Sequence, residues 1–495
     1  MDFIRNFPFF CIIMCMVSAV ITSILKARAA RIWTSILVFV VGVMSAVTLW
    51  YVNETGESSV YFMGHFPAPW GNEIRIGVLE ALTALIFCVV MLLSILGGLK
   101  TLLANVAESK QNLYFIMVDL LLSSLLALVY TNDLFTAYVF IEINTISACG
   151  LIMIRDNGHC LVAATKYMIM SLIGSGLVLI SICLLYDLTG HLLMSNIKET
   201  IAAGMVQSEY AFPLTMVIGL LCVGLSIKSA LYPFSSWLPD AYGYSTAVSS
   251  ALLSSLVSKG YIFLLIKLIY RVIGFDVFYE SGVGNIFFAF GIAGMMIGSL
   301  KAMQQTDIRR LVAYSSIAQI GYIYMGLGMG IEAGVIAAVF HIFSHAATKS
   351  LLFIASNGLS LASGGSKDFK DLRGAAYRNP VAGVTFMIGA FSMIGIPLLS
   401  GFISKISFAT AAMQISDTKL YLAMLALAFS TILNTVYFVK AISNIFSVYH
   451  VQKDRYRSTA NFVLTCIAFC IFNFVLGMNA QPILDFIQAG LGMLS

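Results

Sequence analysis

The stretch GLSIKSALYPFSSWLPDA, residues 224–241, combines features that an ordinary membrane-spanning helix avoids. The stretch lies at the end of an apolar run that begins near residue 212. In this stretch Lys228 lies five residues before Pro233. Proline lacks the backbone donor that a helix interior needs, so it ends or breaks the helix. Carbonyls that are freed at membrane depth are tolerated only where they line protein or a water-filled cavity. The stretch therefore predicts a broken helix with a lysine beside a polar cavity.

A second stretch repeats this combination in the other half of the chain. Residues 395–405 read GIPLLSGFISK, and Pro397 again adjoins a lysine, Lys405, within one apolar run. Two lysine-bearing helices broken by proline, one in each half, are typical of transporters built from structural repeats. Five spans are expected in each half, and an odd number of spans per repeat requires the two repeats to be inverted. Pro233 and Pro397 are therefore the predicted helix breaks.

The composition of the whole chain agrees with a membrane protein. Of 495 residues, 60% are hydrophobic and 10% are charged, whereas soluble domains carry about 25% charged residues. Such a chain lacks the polar residues to cover a water-exposed surface, which excludes a soluble enzyme, a nucleic-acid-binding protein and a disordered scaffold. The long unbroken apolar runs favour helices over transmembrane strands, in which apolar and polar residues alternate. The predicted fold class is an all-α polytopic membrane protein.

Apolar runs between charged or glycine- and proline-rich breaks predict about fourteen transmembrane helices. The predicted spans are 7–25, 32–52, 76–98, 112–131, 133–154, 163–187, 212–232, 246–272, 283–303, 309–331, 333–357, 380–410, 419–446 and 458–479. The predicted parts are an N-terminal three-helix segment (1–111), a first five-helix repeat (112–272), a second five-helix repeat (283–446), and a C-terminal helix with a tail (447–495). Residues 188–208 are expected to form a polar connection with a short surface helix.

Lysine and arginine residues are distributed unequally between the two faces that these spans define. Five lie in loops on one side: Arg5, Arg75, Lys198, Arg271 and Lys419. Sixteen lie on the other: Lys26, Arg28, Arg31, Lys100, Lys110, Arg155, Lys301, Arg309, Arg310, Lys367, Lys370, Arg373, Arg378, Lys453, Arg455 and Arg457. The positive-inside rule places the second face in the cytoplasm. We therefore expect a multi-pass protein of the cell membrane with both termini outside.

The other seven basic residues fall inside predicted spans, and all of them are lysines. They are Lys166, Lys228, Lys259, Lys267, Lys349, Lys405 and Lys440. An ionisable residue at mid-bilayer costs about 2.5–3.5 kcal/mol, and lysine, unlike arginine, can release its proton when buried. A row of buried lysines therefore suits proton transfer. The alternative is that a lysine near a helix end extends to the lipid headgroups, which fits Lys267 and Lys440 better than the others.

One carboxylate and two histidines accompany these lysines. Glu142 is isolated in an apolar span, and we expect it to pair with a buried lysine on a neighbouring helix; a glutamate bonded to backbone is the alternative. His341, His345 and Lys349 recur at spacings of four residues, which places them on one helix face. Because histidine titrates near neutral pH, this histidine–lysine row predicts a proton wire. Without a third ligand near the two histidines, no metal is predicted.

These motifs resemble those of the antiporter-like subunits of complex I and of their relatives, the Mrp-type Na⁺/H⁺ antiporters and the membrane-bound hydrogenases. The resemblance covers residues from about 110 to about 450. The segments that carry it are Trp237–Ala241 (WLPDA), Asp307–Ser316 (DIRRLVAYSS), the histidine–lysine row and Gly401–Lys405 (GFISK). A departure follows Asp240: the family usually has a Pro-Thr-Pro-like turn, whereas residues 244–249 read YSTAVS. This difference predicts a looser turn.

The resemblance implies a role for each candidate residue. Glu142 and Lys228 resemble the carboxylate of the fifth helix and its lysine partner on the broken seventh helix. Lys259 resembles the bridging lysine of the eighth helix, and the histidine–lysine row the connection along the eleventh. Lys405 resembles the exit-side residue of the broken twelfth helix. The auxiliary candidates are Lys166, Asp240 and Lys440.

The function that this resemblance implies is proton translocation, with or without Na⁺ exchange, as one membrane subunit of a larger complex. The branch expected is the D-type subunit of Mrp antiporters or its equivalent in a membrane-bound hydrogenase, because the chain ends soon after the last span and has lysine at position 405. The alternatives are a structural subunit that does not pump and a stand-alone solute carrier. The sequence contains no P-loop, dinucleotide fingerprint or cysteine cluster, so no cofactor is predicted and any redox chemistry is expected in partner subunits.

Overall fold

The protein is mostly helical, as its apolar runs predict. The computed structural model describes residues 2–66, 71–204, 211–415, 417–447 and 456–494. The α-helices of these residues are α1 Phe7–Ile24, α2 Ala27–Thr55, α3 Val78–Asn105, α4 Glu108–Tyr130, α5 Leu134–Met153, α6 Gly158–Thr189, α7 Met194–Gly204, α8 Ala211–Ser229, α9 Leu238–Tyr244, α10 Ala247–Leu252, α11 Ser258–Leu268, α12 Phe275–Glu280, α13 Val283–Met303, α14 Ile308–Gly328, α15 Glu332–Leu361, α16 Ala375–Arg378, α17 Pro380–Ile394, α18 Ser400–Ala412, α19 Asp417–Ile445, α20 Ala460–Met478 and α21 Ala480–Leu494.

Shorter elements join these helices. The strands β1, Ser59–Phe62, and β2, Glu73–Ile76, form an antiparallel hairpin between α2 and α3. The π-helical turns Leu253–Val257 and Ile269–Ile273 flank α11, so that α10 and α11 form parts of one span. A 3₁₀-helix, Phe234–Trp237, precedes α9.

Twelve helices of the described part are long and apolar enough to cross a bilayer. These twelve correspond to twelve of the fourteen predicted spans. The predicted span 309–331 is α14, whose first turn carries two arginines, and the predicted span 380–410 is the pair of shorter helices α17 and α18. The class of fold is thus confirmed, while the number fourteen is not established by length and composition alone. The helix α7 occupies the predicted connection 188–208, and α21 occupies part of the predicted tail.

The first described residues and the last described helix, α21, lie on the same face of the helix bundle. The Arg5 side chain donates a hydrogen bond from Nε to the Tyr51 hydroxyl, near the end of α2, at 3.1 Å. At the other end, α21 packs against the start of α3 so closely that a Cβ atom on Gly490 would lie 2.4 Å from Cβ of Leu79. Because the hairpin joins the end of α2 to the start of α3, both contacts are on one face.

The first predicted break occurs where α8 meets the segment before Pro233. The helix ends at Ser229, and Ala230 adopts a left-handed backbone with φ of 64°. A helix end leaves carbonyl groups without their usual donors. One of them, the carbonyl of Ile227, accepts a hydrogen bond from the Trp237 indole at 3.3 Å. The tryptophan of the WLPDA motif therefore covers the end of the interrupted helix.

The second break separates α17 from α18. The chain adopts positive φ at Gly395 (96°) and at Leu398 (75°) on either side of Pro397. A bulky residue with positive φ is strained and persists only where the surroundings hold it. Here the surroundings include Asn473 on α20, whose Oδ1 atom accepts hydrogen bonds from the hydroxyls of Ser392 and Ser400 at 2.9 Å each. A helix outside the predicted repeats thus stabilises the break.

A buried ion pair joins α3 to the end of the α10–α11 span. The Glu80 carboxylate lies 2.6 Å from the Arg271 guanidinium, and their side chains are 0% and 2% exposed. Arg271 was predicted to lie in a surface loop, and that prediction is wrong. Lys267, expected near the headgroups, is also fully buried: its ammonium donates to the carbonyls of Leu128, Val129 and Thr131 at 2.6–2.9 Å. Lys267 therefore caps the C-terminal end of α4, where a cation is favourable.

We expect Arg271→Met to lower the stability of the purified protein in detergent. Removing one partner of a buried ion pair strands the other charge and costs about 3–5 kcal/mol. The thermal unfolding midpoint should therefore fall in the single variant and recover largely in the double variant Glu80→Leu/Arg271→Met. Lys110→Met is the matched control, because Lys110 pairs with Asp156 at an exposed site. A single variant as stable as the wild type would contradict this account of the pair.

Candidate functional site

Most of the predicted site residues lie inside the helix bundle. Lys228, Lys259 and Lys349 are 0% exposed, while His345 and His341 are 1% and 5% exposed. None of these five side chains extends to the membrane surface. Together with Lys267, these lysines make four fully buried ammonium groups that depend on protein oxygen atoms for their hydrogen bonds.

Lys228, on α8, contacts α5 but does not form the direct ion pair that was predicted. Its ammonium donates a hydrogen bond to the Thr145 hydroxyl at 2.8 Å and lies 5.4 Å from the centre of the Tyr261 ring. No carboxylate oxygen of Glu142 lies within 4.0 Å of it. Thr145 is one helical turn after Glu142. The Glu142 carboxylate and the Lys228 ammonium interact electrostatically without a direct contact. Glu142 is partly buried, and its Oε1 atom is buried without a hydrogen-bond partner.

Lys259 is held by an irregular turn of its own span. Its ammonium donates to the Ser254 carbonyl at 2.7 Å and to the Ser258 hydroxyl at 3.0 Å. Ser254 belongs to the π-helical turn, and such turns, frequent at functional sites, alter the regular pattern of backbone hydrogen bonds. The same turn touches α15, since the Ser350 hydroxyl donates to the Ser255 hydroxyl at 2.9 Å. Lys259 therefore lies where the two predicted repeats meet.

The histidine–lysine row follows the buried face of α15. His341 Nδ1 lies 2.7 Å from the Ser404 hydroxyl on α18, and the two histidine ring centres are 5.9 Å apart. Neither ring nitrogen of His345 has a hydrogen-bond partner. Lys349 donates to the Val312 carbonyl at 2.9 Å and also to a serine hydroxyl on α14. The row therefore contains an imidazole with unused hydrogen-bonding capacity between two bonded neighbours.

Lys405 lies at the second break and binds its freed backbone. Its ammonium donates to the carbonyl of Ile394, the last residue of α17, at 2.7 Å and to the Thr431 hydroxyl on α19 at 2.9 Å. It also lies 5.8 Å from the centre of the Tyr322 ring. That ring stacks on His341 with centres 5.6 Å apart, so Tyr322 separates the row from Lys405.

The auxiliary candidates divide into two groups. Lys166 and Asp240 form an ion pair at 2.7 Å, with Lys166 53% exposed, and Arg310 lies 3.4 Å from the same carboxylate. Lys440 is exposed and lines a surface pocket together with Arg373. The structure thus places Lys166 and Asp240 together at the first turn of α9 and leaves Lys440 at the surface.

Sequence reasoning missed the partners of the lysines and the histidines. The partners that contribute a side chain are Thr145, Ser258, Ser315, Tyr322, Ser404 and Thr431, and Ser254 contributes its carbonyl. Two of these partners have a signal in the sequence: Thr145 lies one turn after Glu142, and Ser258 lies next to Lys259. The other five belong to helices or turns whose spatial neighbours cannot be read from spacing.

A cluster of basic side chains binds the carbonyls at the C-terminal end of α9. Arg309 donates to the carbonyls of Tyr242 and Ser245 at 3.2 and 2.8 Å, and Lys367 donates to that of Gly243 at 2.9 Å. Cations are favourable at helix C-termini, where carbonyls are unpaired. The turn that follows is buried, and its Thr246 hydroxyl accepts from the Ser249 amide at 3.1 Å. The turn that was predicted to be looser is thus buried and hydrogen-bonded.

The fold and the site define a class of protein: a multi-pass helical membrane protein with buried lysine and histidine side chains between two interrupted helices. Residues 131–433 match the transmembrane family of NADH:quinone oxidoreductase and Mrp antiporter subunits. Because this segment is more than half of the chain, the protein belongs to that family. The resemblance that the motifs indicated is confirmed at this level.

Two relatives and one solved structure illustrate the relationship. The N-type subunit of the NADH-quinone oxidoreductase of Desulforudis audaxviator is 32% identical over 81% of this chain and 77% of the relative. The D-type subunit of the Na⁺/H⁺ antiporter of Alkalihalophilus pseudofirmus is 24% identical over 86% of this chain and 84% of the relative. A chain of an archaeal respiratory membrane complex, the membrane-bound sulfane sulfur reductase, matches with a TM-score of 0.89 over 100% of this chain and 98% of that chain. At 23% identity the last match shows the shared fold.

The basic cluster at α9 predicts a dependence of stability on pH. Burial, and next the Arg309 guanidinium, lower the pKa of Lys367 from 10.5 to about 7. Between pH 7 and 10 the unfolded chain therefore binds a proton that the folded chain lacks, so folding becomes more favourable as pH rises. Relative to Lys367→Gln, the wild type should gain up to about 1 kcal/mol per pH unit in this range.

Thermal unfolding of the purified protein in detergent at pH 7 and at pH 9.5 measures this difference. Lys370→Gln is the matched control, because Lys370 lies on the same loop and is exposed. Wild-type and Lys367→Gln midpoints that change in parallel with pH would show that Lys367 does not titrate in this way.

Proposed function

We propose that this protein translocates protons as one membrane subunit of a multisubunit complex, along a route of buried side chains. The route runs through Glu142, Lys228, Lys259, His341, His345, Lys349 and Lys405. The observation that carries the proposal is the burial of three lysines and two histidines without a single ion-pair partner among the described residues. Buried lysines without carboxylate partners are costly for stability, and proton transfer is the use that their chemistry offers.

The first step of the route lies between α5 and α8. The Oε1 atom of Glu142 lacks a partner, so this carboxylate can accept a proton without breaking a hydrogen bond. Thr145, one turn further along α5, can relay the proton to Lys228, because a hydroxyl both donates and accepts. The missing direct ion pair favours this relay, since an ammonium locked to a carboxylate would hold its proton more firmly.

The middle of the route crosses from α11 to α15. The Lys259 ammonium interacts electrostatically with His341, His345 and Lys349. In a low-dielectric interior such neighbours do not all carry positive charge together, because like charges repel strongly there. A proton that arrives at Lys259 therefore favours release from Lys349 or from the imidazoles. Conduction is expected to be stepwise and coupled from site to site.

The last step lies at the second break. Tyr322 stacks on His341 and lies beneath Lys405, and its hydroxyl is buried without a partner. Lys405 binds the last carbonyl of α17, so a change in its charge alters the stability of the break itself. We propose that this side chain releases the proton towards the outer face.

The orientation follows from the basic residues. The face with sixteen lysine and arginine residues is proposed as the cytoplasmic face, with both termini outside. Two of the sixteen, Lys453 and Arg455, lie outside the described residues, as does part of the proposed C-terminal unit 447–495. The proposed inverted repeats are 112–272 and 283–446, and one interrupted helix in each supports this division.

The partners proposed are other membrane subunits. The relatives named above are subunits, of a quinone oxidoreductase and of a Na⁺/H⁺ antiporter, which disfavours a stand-alone solute carrier. A structural subunit that does not pump is also disfavoured, because it has no use for buried lysines with unused donors, such as Lys228, or for an unbonded His345. The D-type branch of the family stays a proposal.

We expect Glu142→Gln to reduce proton translocation by an order of magnitude or more while the complex still assembles. The amide cannot take up a proton, and it removes the negative charge that acts on Lys228. Proton uptake by proteoliposomes that contain the purified complex, followed with a pH-sensitive dye, measures the effect. Glu108→Gln is the control, because Glu108 is an exposed glutamate at the start of α4. Wild-type uptake by a fully assembled Glu142→Gln complex would overturn the proposed first step.

A further inference from the structure

A carboxylate that the proton route does not use is buried in the N-terminal part of the bundle. Asp119 lies near the centre of α4 and is 0% exposed. The hydroxyls of Ser18 and Thr22, on α1, donate hydrogen bonds to its Oδ2 atom at 2.8 and 2.9 Å. Its other oxygen, Oδ1, is buried and has no hydrogen-bond partner. The carboxylate is therefore only half satisfied.

A third hydroxyl completes the cluster from another helix. Thr34, on α2, is 0% exposed and interacts with the Asp119 carboxylate, although its hydroxyl does not reach hydrogen-bond geometry with any group. The Trp33 indole donates to the Ser18 hydroxyl at 2.8 Å and so fixes the position of that oxygen. The cluster thus contains five side-chain oxygen atoms from three helices, and two of them, Asp119 Oδ1 and Thr34 Oγ1, have no hydrogen-bond partner.

Within the described part of the chain, no basic side chain compensates the charge of Asp119. None of the described lysine, arginine and histidine side chains forms an ion pair with it within 4.0 Å. Lys26 and Arg28, near the adjoining ends of α1 and α2, are exposed, and the titratable neighbour on α1 is the Cys15 thiol. An ionised carboxylate without a counter-ion at this depth costs several kcal/mol. The group therefore requires either a bound proton or a bound cation.

We propose that Asp119, Ser18, Thr22 and Thr34 form a binding site for Na⁺ in which a proton competes with the cation. Hard cations prefer oxygen ligands such as carboxylates and hydroxyls, and these four residues offer only oxygen atoms. Hydroxyl hydrogens rotate easily, so Ser18 and Thr22 can turn lone pairs towards a cation next to the carboxylate. A single carboxylate that exchanges Na⁺ for a proton is the minimal device for coupling the two ions.

The position of the cluster gives it a short path to one face. Thr22 lies two residues before the end of α1, which corresponds to about 3 Å along the helix, and Thr34 lies in the second turn of α2. Asp119 is deeper, near the middle of α4. The hydroxyls thus lead from the face that carries the α1–α2 turn towards the carboxylate. No residue of this site belongs to the proposed proton route.

Equilibrium binding of ²²Na⁺ to the purified complex tests this proposal. We expect Asp119→Asn to lose one bound Na⁺ per protein relative to the wild type, and Thr22→Val to weaken that binding about tenfold. The apparent affinity of the wild type should fall as pH is lowered, by up to tenfold per pH unit, because the proton competes for the same carboxylate. Ser123→Ala is the matched control: its hydroxyl contacts the Ile12 carbonyl at the same α1–α4 interface, and its binding should equal that of the wild type.

Equal Na⁺ binding by the wild type and Asp119→Asn would overturn the site and would show that the carboxyl holds a proton only. Wild-type Na⁺ binding that does not change with pH would overturn the competition. If Asp119→Asn does not assemble, Thr22→Val decides, and an unchanged affinity in that variant would also overturn the site. Because the measured quantity is bound Na⁺, the outcome is independent of whether Glu142→Gln blocks proton translocation.

Discussion

A lysine ammonium inside an apolar helix bundle must find oxygen acceptors, and in this protein irregular backbone supplies many of them. Lys259 binds a carbonyl of the π-helical turn beside it, and Lys405 binds the last carbonyl of α17 at the second break. Lys267 binds three carbonyls at the end of α4. In regular helices these carbonyls would be bonded within the helix. These three sites thus leave backbone oxygens that a buried cation can use, whereas Lys228, beside the first break, binds the Thr145 hydroxyl instead.

The number of acceptors separates structural lysines from candidates for proton transfer. An ammonium has three donors, and Lys267 uses all three on backbone carbonyls. Lys228 has one hydrogen-bond acceptor, the Thr145 hydroxyl, while Lys259 and Lys405 have two acceptors each. A fully bonded ammonium resists losing its proton, whereas one with a free donor can pass it on. Lys267 therefore belongs to the scaffold, and the other three suit the proposed route.

The sequence predicted local features well because proline and buried charge act locally. Pro233 and Pro397 indicated the two interruptions, and the apolar runs indicated twelve of the spans. Contacts between distant segments were not predictable: Arg271 was assigned to a loop because its partner Glu80 is 191 residues away in the chain. The turn after Asp240 was expected to be looser, but distant arginine and lysine side chains bind its carbonyls. Spacing alone does not show which helices touch.

The central claim is that protons pass between the two halves of the protein through Lys259. The most direct measurement is proton uptake by proteoliposomes that contain the assembled complex with Lys259→Met. Methionine keeps the length and the apolar packing of the side chain but cannot carry a proton. The account predicts at least a tenfold loss of uptake, with Lys440→Met, at an exposed lysine of α19, unaffected. Uptake by an assembled Lys259→Met complex at the wild-type rate would contradict it.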